Sequence, residues 1–447
     1  MIGGSIAGLL AARVLSDAYT EVLIVDRDEL TGAATARRGV PHGRHVHGLL
    51  ARGQEIIEEL LPGFTDRIVA DGAPLSDLSG TVRWYFGGRR LQALPSGLTC
   101  VAASRPMLER HIREGVAQLP GVKFLEQHDV LGLVLTPEGG RVTGVRIEDR
   151  DTGGETIIDA DLVVDASGRG SRTPAWLSGL GYTRPAEDRV KIDLSYTTRR
   201  YRLRRDDVFG DDVSINPVST PSHPRGAFFT RIENGQCALS LTGVLGDRAP
   251  AEPAGFLAWA KSLPVPDIFD AVRDAEPLDE PVTFHYPVSV RRRYERLLTF
   301  PERFLVLGDA VCSFNPVYGQ GMSVAALEAL TLREHLSRGR PPVPRDFFAD
   351  IAAVIDVPWD ISAGGDLSYP QVEGERTAKI RFGNAYMARM QVAATWDGRI
   401  TRTFMRVAGL IEPPQALMTP TMMLRVLRRG RRPAPGAVSP AARGVTA

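Results

Sequence analysis

At 447 residues the chain is too long for one small domain and suits two or three modules that share an interface. Its 43% hydrophobic and 24% charged content is that of a globular protein, and a formal net charge of +1 excludes bulk electrostatic attraction to nucleic acid or membrane. No apolar run reaches the roughly 18 residues of a spanning helix, and no charged-then-apolar leader opens the chain. The three cysteines, Cys100, Cys237 and Cys312, are far apart and lack ligand spacing. The expectation is a protein of a reducing cytoplasm, without membrane span or nucleic-acid partner.

The opening MIGGSIAGLLAARVLSDAYTEVLIVDRDEL carries the first motif. Gly3, Gly4, Ser5, Ile6, Ala7 and Gly8 fit G-x-G-x-x-G, with Ser5 in the second glycine's place, and an apolar helix pattern follows. Val22–Val25 then reads as a buried strand that ends in Asp26, the position where a dinucleotide-binding βαβ unit keeps an acid for ribose hydroxyls. Ser5 is small enough for this place, and its hydroxyl and N–H are expected to face phosphate oxygens. Only Met1 and Ile2 precede the turn, so about four to six residues of a normal first strand are expected to be missing.

Next comes a basic loop, RRGVPHGRHVHGLL, and an amphipathic helix in GQEIIEELLPG. The three histidines, His42, His45 and His47, have no nearby acid or cysteine cluster, so no metal is assigned. A strand pair is predicted at Thr81–Phe86 and Arg90–Leu94, joined at Gly87-Gly88. Ser104 as N-cap, Pro106 in the first turn and Gly121 beyond the end mark a helix. Short strands at Val122–Leu125, Val130–Leu135, Val142–Ile147 and Thr156–Ile158 read as one meander beside the main sheet. From 186 to about 295 the strands alternate apolar and polar positions, the mark of a sheet with one covered face. Residues 346 to 429 read as helices, and the Pro-, Gly- and Ala-rich 431–447 as a disordered tail.

The second motif is FLVLGDAVCSFNPVYGQGMSVAALEALTL. A buried strand ends at Gly308-Asp309, and after a Pro-containing loop Gly319-Gln320-Gly321 opens a helix near Met322. This supplies a carboxylate for ribityl or ribose hydroxyls, and a helix start whose free N–H groups favour an anion such as a reduced flavin.

Together with the N-terminal turn and DLVVDASGRGSRTPAWL, which holds Asp165, Gly168, Gly170, Ser171 and Arg172, this motif resembles the FAD-dependent monooxygenases of the aromatic-hydroxylase and squalene-epoxidase kind. Over roughly residues 1 to 430 the chain looks most like bacterial polyether epoxidases of the lasalocid and monensin type. The resemblance implies an α/β fold: a Rossmann-type FAD-binding domain (1–75, 97–185 and 296–345), an inserted α+β substrate domain with a mixed sheet (76–96 and 186–295), and a helical C-terminal region (346–430).

It further implies non-covalent FAD, with NAD(P)H or a separate flavin reductase as electron source. One atom of O2 would pass through a flavin C4a-hydroperoxide to a small apolar organic substrate, by epoxidation of an alkene in a polyketide or terpenoid metabolite. Aromatic hydroxylation of a polyketide and FAD-dependent prenyl-chain reduction stay open. Carried over by position, Gly3 to Gly8 form the pyrophosphate turn, and Asp26 with Arg27 takes the adenosine ribose. Arg44 and Arg105 lie near the cofactor and Val130 touches adenine. Asp309, Pro316, Gly319, Gly321 and Met322 hold the flavin end. No catalytic side chain is assigned, because the flavin carries the chemistry. Phe228, Phe229, Phe284 and Tyr286 are the expected substrate-pocket walls.

Overall fold

The computed structural model describes residues 1–204 and 208–430; the predicted tail at 431–447 lies outside the described residues. A parallel sheet forms the first layer. Its strands run in the order Val122–Leu125, Val22–Val25, Met1-Ile2, Val163–Asp165, Phe304–Val306. Ile2 bridges to Val25 on one side and Asp165 on the other; its N–H donates to the Val164 carbonyl at 2.8 Å, and Val25 N–H donates to Met1 O at 2.8 Å. The start of the chain therefore occupies the central slot of the sheet. Val122–Leu125 belongs here, paired in parallel with Val22–Val25, and not to the meander. The meander is His128–Leu135, Val142–Asp149 and Glu155–Asp159. Apolar runs of four residues cannot report their partners, because the same composition serves both sheets.

Two helices start at the C-terminal edge of this sheet, Ile6–Leu15 and Gly321–Leu336. Ile6, Leu9, Leu10 and Val14 are all but fully buried, so the first helix is a core element. Gly8 allows it to sit this close, since a Cβ there would lie 1.8 Å from the Gly3 carbonyl oxygen. The Arg105–Ala117 helix is capped by the Ser104 side chain, which accepts from Met107 N–H at 3.4 Å.

The second layer is a mixed sheet built around Leu194–Arg202, Cys237–Gly243, Arg225–Arg231 and Ser214–Val218, antiparallel in that order. Val82–Phe86 adds in parallel to Ser214–Val218, and Val282–Tyr286 pairs with Leu194–Arg202. The strand predicted at Arg90–Leu94 shrinks to Arg89–Arg90.

Register sorts the side chains. Tyr196, Thr198, Ser240, Thr242 and Phe228 share one face with Phe284. Phe229, Leu239 and Leu241 point the other way, into a core with Phe256 and Trp259 of the Pro253–Lys261 helix. The C-terminal helices Pro344–Asp366, Ala378–Ala394, Gly398–Ala408 and Pro420–Arg429 complete the fold. Met390, Ile400, Met405 and Val426 from the last three cluster with Leu91, Trp84 and Phe86.

Candidate cofactor and substrate site

The glycine turn, the Arg105 helix and the Gly308-Asp309 turn converge at the edge of the parallel sheet. Gly3 has φ +95°, and a Cβ on it would meet the Ala166 carbonyl oxygen at 2.6 Å, so the turn demands glycine. Asp26 ties it down: its Oδ2 accepts from Gly4 N–H at 2.6 Å and its Oδ1 from Asp28 N–H at 2.9 Å. Burial pushes the Asp26 carboxyl up, while Arg37 and these two N–H groups oppose the rise.

Ser5 does not spend its hydroxyl facing outward. It donates to Glu109 Oε2 and accepts from Arg105 Nη2, each at 2.9 Å. Arg37 joins the same buried cluster, donating through Nε to Glu109 Oε1 at 2.7 Å and through Nη1 to Asp28 Oδ2 at 3.0 Å. Burial alone would raise Glu109, but Arg105 and Arg37 outweigh it and hold the carboxyl below its ordinary range. Arg37 and Glu109 were not singled out from the sequence. Glu109 stands one helical turn after Arg105, and that spacing was the available signal.

Asp309 follows Gly308, whose φ is +66° and whose N–H donates to the fully buried Glu328 Oε2 at 2.5 Å. A Cβ on Gly308 would meet Ala7 Cβ at 2.8 Å, which shows how closely the two turns approach. Burial raises Asp309, and Arg105, Arg169 and Arg292 counter it; among the described residues its carboxylate takes no hydrogen bond. Beyond it, Pro316–Tyr318 forms a 3-10 turn closed by Gly319 at φ +67°, and the next helix begins at Gly321 with buried Met322. The Gly321 Cβ position is 3.8 Å from Asp309 Oδ1, so carboxylate and helix start adjoin.

At the other end, Val130 sits on the His128–Leu135 strand, whose first N–H, that of His128, donates to Asp26 O at 3.0 Å. Arg27 is exposed and pairs with Asp129 at 3.4 Å. Arg44 is exposed at the end of the 3-10 turn Pro41–Arg44.

The histidine loop lies between this cluster and the second sheet. His45 Nδ1 is 2.7 Å from Thr198 Oγ1, and Val46 N–H donates to Ser240 Oγ at 2.9 Å. Phe284 packs near both His42 and His45, with ring centroids 6.0 and 5.7 Å away. Burial depresses His42 and His45 to about 4, and drives His47 well below its ordinary value; Arg105 adds to the effect on His42 and His47. All three rings are neutral near pH 7. Among the described residues no group of three or more His, Cys, Asp or Glu could hold a metal.

Of the expected pocket walls, Phe228 and Phe284 are half-buried on the site-facing side. Phe229 is a correction: it is fully buried on the opposite face, with its ring centroid 4.9 Å from that of Phe209. Tyr286 is buried, and its hydroxyl donates to the Ser313 carbonyl at 2.8 Å.

The residues fit FAD. A glycine cradle, the buried Arg105 guanidinium whose Nε has no hydrogen-bond partner among the described residues, and a carboxylate left open to an incoming hydroxyl are what a diphosphate and a ribityl chain need.

The FAD dependent oxidoreductase family matches residues 1–235, just over half of the chain. Protein Rv3254 of Mycobacterium tuberculosis is 36% identical over 433 residues, covering 92% of this chain and 89% of that protein. The chain therefore belongs to the FAD-dependent oxidoreductase family. It is also similar to kynurenine 3-monooxygenase of Yarrowia lipolytica, 22% identical over 377 residues and covering 80% and 78% of the two chains. Two solved structures share the fold. A flavoprotein/dehydrogenase from Cytophaga hutchinsonii has a TM-score of 0.69 at 17% identity, covering 96% of this chain and 97% of that one. The p-nitrophenol 4-monooxygenase PnpA of Pseudomonas putida has a TM-score of 0.64 at 14% identity, covering 92% and 97%. The family makes the protein an FAD-dependent oxidoreductase, and its fold is one that flavin-dependent monooxygenases share.

Proposed function

We propose that the enzyme places one atom of O2 on a small organic substrate, using non-covalent FAD and electrons from NAD(P)H or a separate flavin reductase. The observation that carries this reading is the junction of Ser5, Arg105 and Asp309 beside the histidine loop, against which Phe284 and Thr198 of the second sheet pack. When bound, FAD supplies the activation of oxygen and the transfer of electrons. The chain's own groups do the rest. Gly3 to Gly8 and Arg105 would hold the diphosphate, Asp309 would take a ribityl hydroxyl, and the N–H groups at the Gly321 helix start favour negative charge beside them. Arg27 and Val130 flank the adenosine end, while Asp26 acts chiefly by fixing the glycine turn. The neutral histidine loop and Phe284 exclude water from the reacting side.

For the substrate, epoxidation of an alkene in a polyketide or terpenoid metabolite rests on the whole-chain resemblance to polyether epoxidases. Hydroxylation of an aromatic ring is the second reading. It is favoured by the relatives named for kynurenine and p-nitrophenol oxygenation. Reductant oxidation by the FAD-loaded enzyme tests the proposal. The expected result is NAD(P)H consumption, direct or through an added reductase, that rises with substrate and requires oxygen. Equal consumption without oxygen points to a reductase instead.

A further inference from the structure

The loop at Asn315–Gly319 is tied down from outside the FAD-binding fold. Asp366 is the last residue of the Pro344–Asp366 helix and is 1% exposed. Its Oδ1 accepts from Asn315 Nδ2 at 2.8 Å and from the Tyr318 hydroxyl at 3.3 Å, while its Oδ2 is buried without a hydrogen-bond partner among the described residues. The helix end is shaped for this contact. A Cβ on Gly365 would fall 2.1 Å from the Tyr318 hydroxyl oxygen, so only glycine lets that hydroxyl reach the helix. Asn315 meanwhile accepts from Val317 N–H at 3.0 Å, so one amide both folds the loop and binds it to Asp366.

Hydroxyls face the Asp366 carboxyl, and the guanidinium of Arg376, close by in the chain, is spent on the Leu367, Tyr369 and Val372 carbonyls. Tyr196, Tyr318 and Tyr369 lie within its electrostatic reach, each phenol pushed up by burial, and among the described residues no Arg, Lys or His acts on the carboxyl. A dry carboxylate with one oxygen unpaired and no cation is costly, so the neutral acid is favoured. Burial accordingly raises Asp366 to about 7, with the Asn315 and Tyr318 hydrogen bonds opposing.

We propose that Asp366 is a positioning residue for the reactive end of the flavin site: as the neutral acid it locks Asn315–Gly319 against the C-terminal helical region, and its ionisation loosens that loop and weakens FAD binding. The inference rests on reading Asn315–Met322 as the flavin segment. It gives the C-terminal region a role in cofactor binding although it contributes none of the motif residues.

The test is FAD affinity of the full chain across neutral pH. The parent is expected to lose affinity about five- to tenfold as pH rises through the region near 7, the loss that follows from weakening one buried polar tie. Asp366→Asn keeps the Oδ1 acceptor without the charge, so it should hold the acid-side affinity with no inflection. Tyr318→Phe removes one donor to the carboxylate and should move the inflection to higher pH, a direction that general loosening would not produce. It also serves if Asp366→Asn fails to fold. An identical pH profile in parent and Asp366→Asn, or an unmoved inflection in Tyr318→Phe, overturns the proposal. A folded parent that binds no FAD at any pH overturns instead the flavin reading on which it stands.

Discussion

Arg105 Nη2 donates to Ser5 Oγ at 2.9 Å, joining residues 100 positions apart and setting a buried guanidinium directly on the glycine turn. Serine in the second glycine's place is therefore a built-in acceptor, and Arg105 is shared between the turn and Glu109. Arg105→Ala should weaken FAD binding about 10- to 100-fold, the loss of a charge-assisted contact of about 1.5–3 kcal/mol. It should also lower apo-protein stability by leaving Glu109 with fewer partners. Flavin titration together with urea unfolding checks both; unchanged affinity would remove Arg105 from the cofactor site.

The two aspartates should separate. Asp309 has no hydrogen-bond partner among the described residues, so Asp309→Ala should weaken FAD binding by about 1.5–3 kcal/mol while leaving the apo protein as stable as the parent or more so. Asp26 already holds Gly4 and Asp28, so Asp26→Ala should lower apo stability as well as flavin affinity. Thermal unfolding of both variants without FAD distinguishes them. An equal loss in the two would mean that Asp309 is a turn residue.

Glu328 offers a pH test. Burial raises it to about 8 from the ordinary 4.5, with the Gly308 N–H opposing. An acid whose folded value is raised stabilises the fold fully below its unfolded value, and that contribution is lost as pH climbs through the folded one. Relative to Glu328→Gln, which is always neutral, the parent should lose roughly 2–4 kcal/mol of unfolding free energy between about pH 5 and about pH 8. Parallel stability curves for the two proteins would contradict this.

Phe228 and Phe229 are neighbours in sequence on opposite faces of one strand. Phe229→Ala should cost about 3–5 kcal/mol of stability by opening a cavity beside Phe209. Phe228→Ala should cost much less and change the substrate dependence of turnover. Urea unfolding and steady-state kinetics of the pair make the comparison, and the reverse pattern would show that the face assignment is wrong.

What could be read from the sequence was what the backbone dictates locally. Gly3 to Gly8 and Gly308 to Met322 announce themselves because tight turns and close backbone approach require glycine at fixed spacing, and Ser104 because a helix start needs an acceptor. The fold class followed from these segments. Harder to read were relations that depend on register or long-range contact. Phe229 could not be told from Phe228 without the strand pairing, since one step along a strand reverses the face. Val122–Leu125 looks alike in either sheet. The cluster of Arg37 with Glu109, and the tie from Asp366 to Asn315, join segments 72 and 51 residues apart and have no local signature.

The fate of oxygen separates a monooxygenase from every other flavin enzyme of this fold. The FAD-loaded enzyme, supplied with a reductant and isotopically labelled O2, would be offered a panel of alkenes and phenols, with products weighed by mass spectrometry. The expected product carries a single labelled oxygen atom and forms only when reductant and oxygen are both present. A product without label, or reductant consumption that yields only hydrogen peroxide with every substrate offered, would contradict the monooxygenase reading.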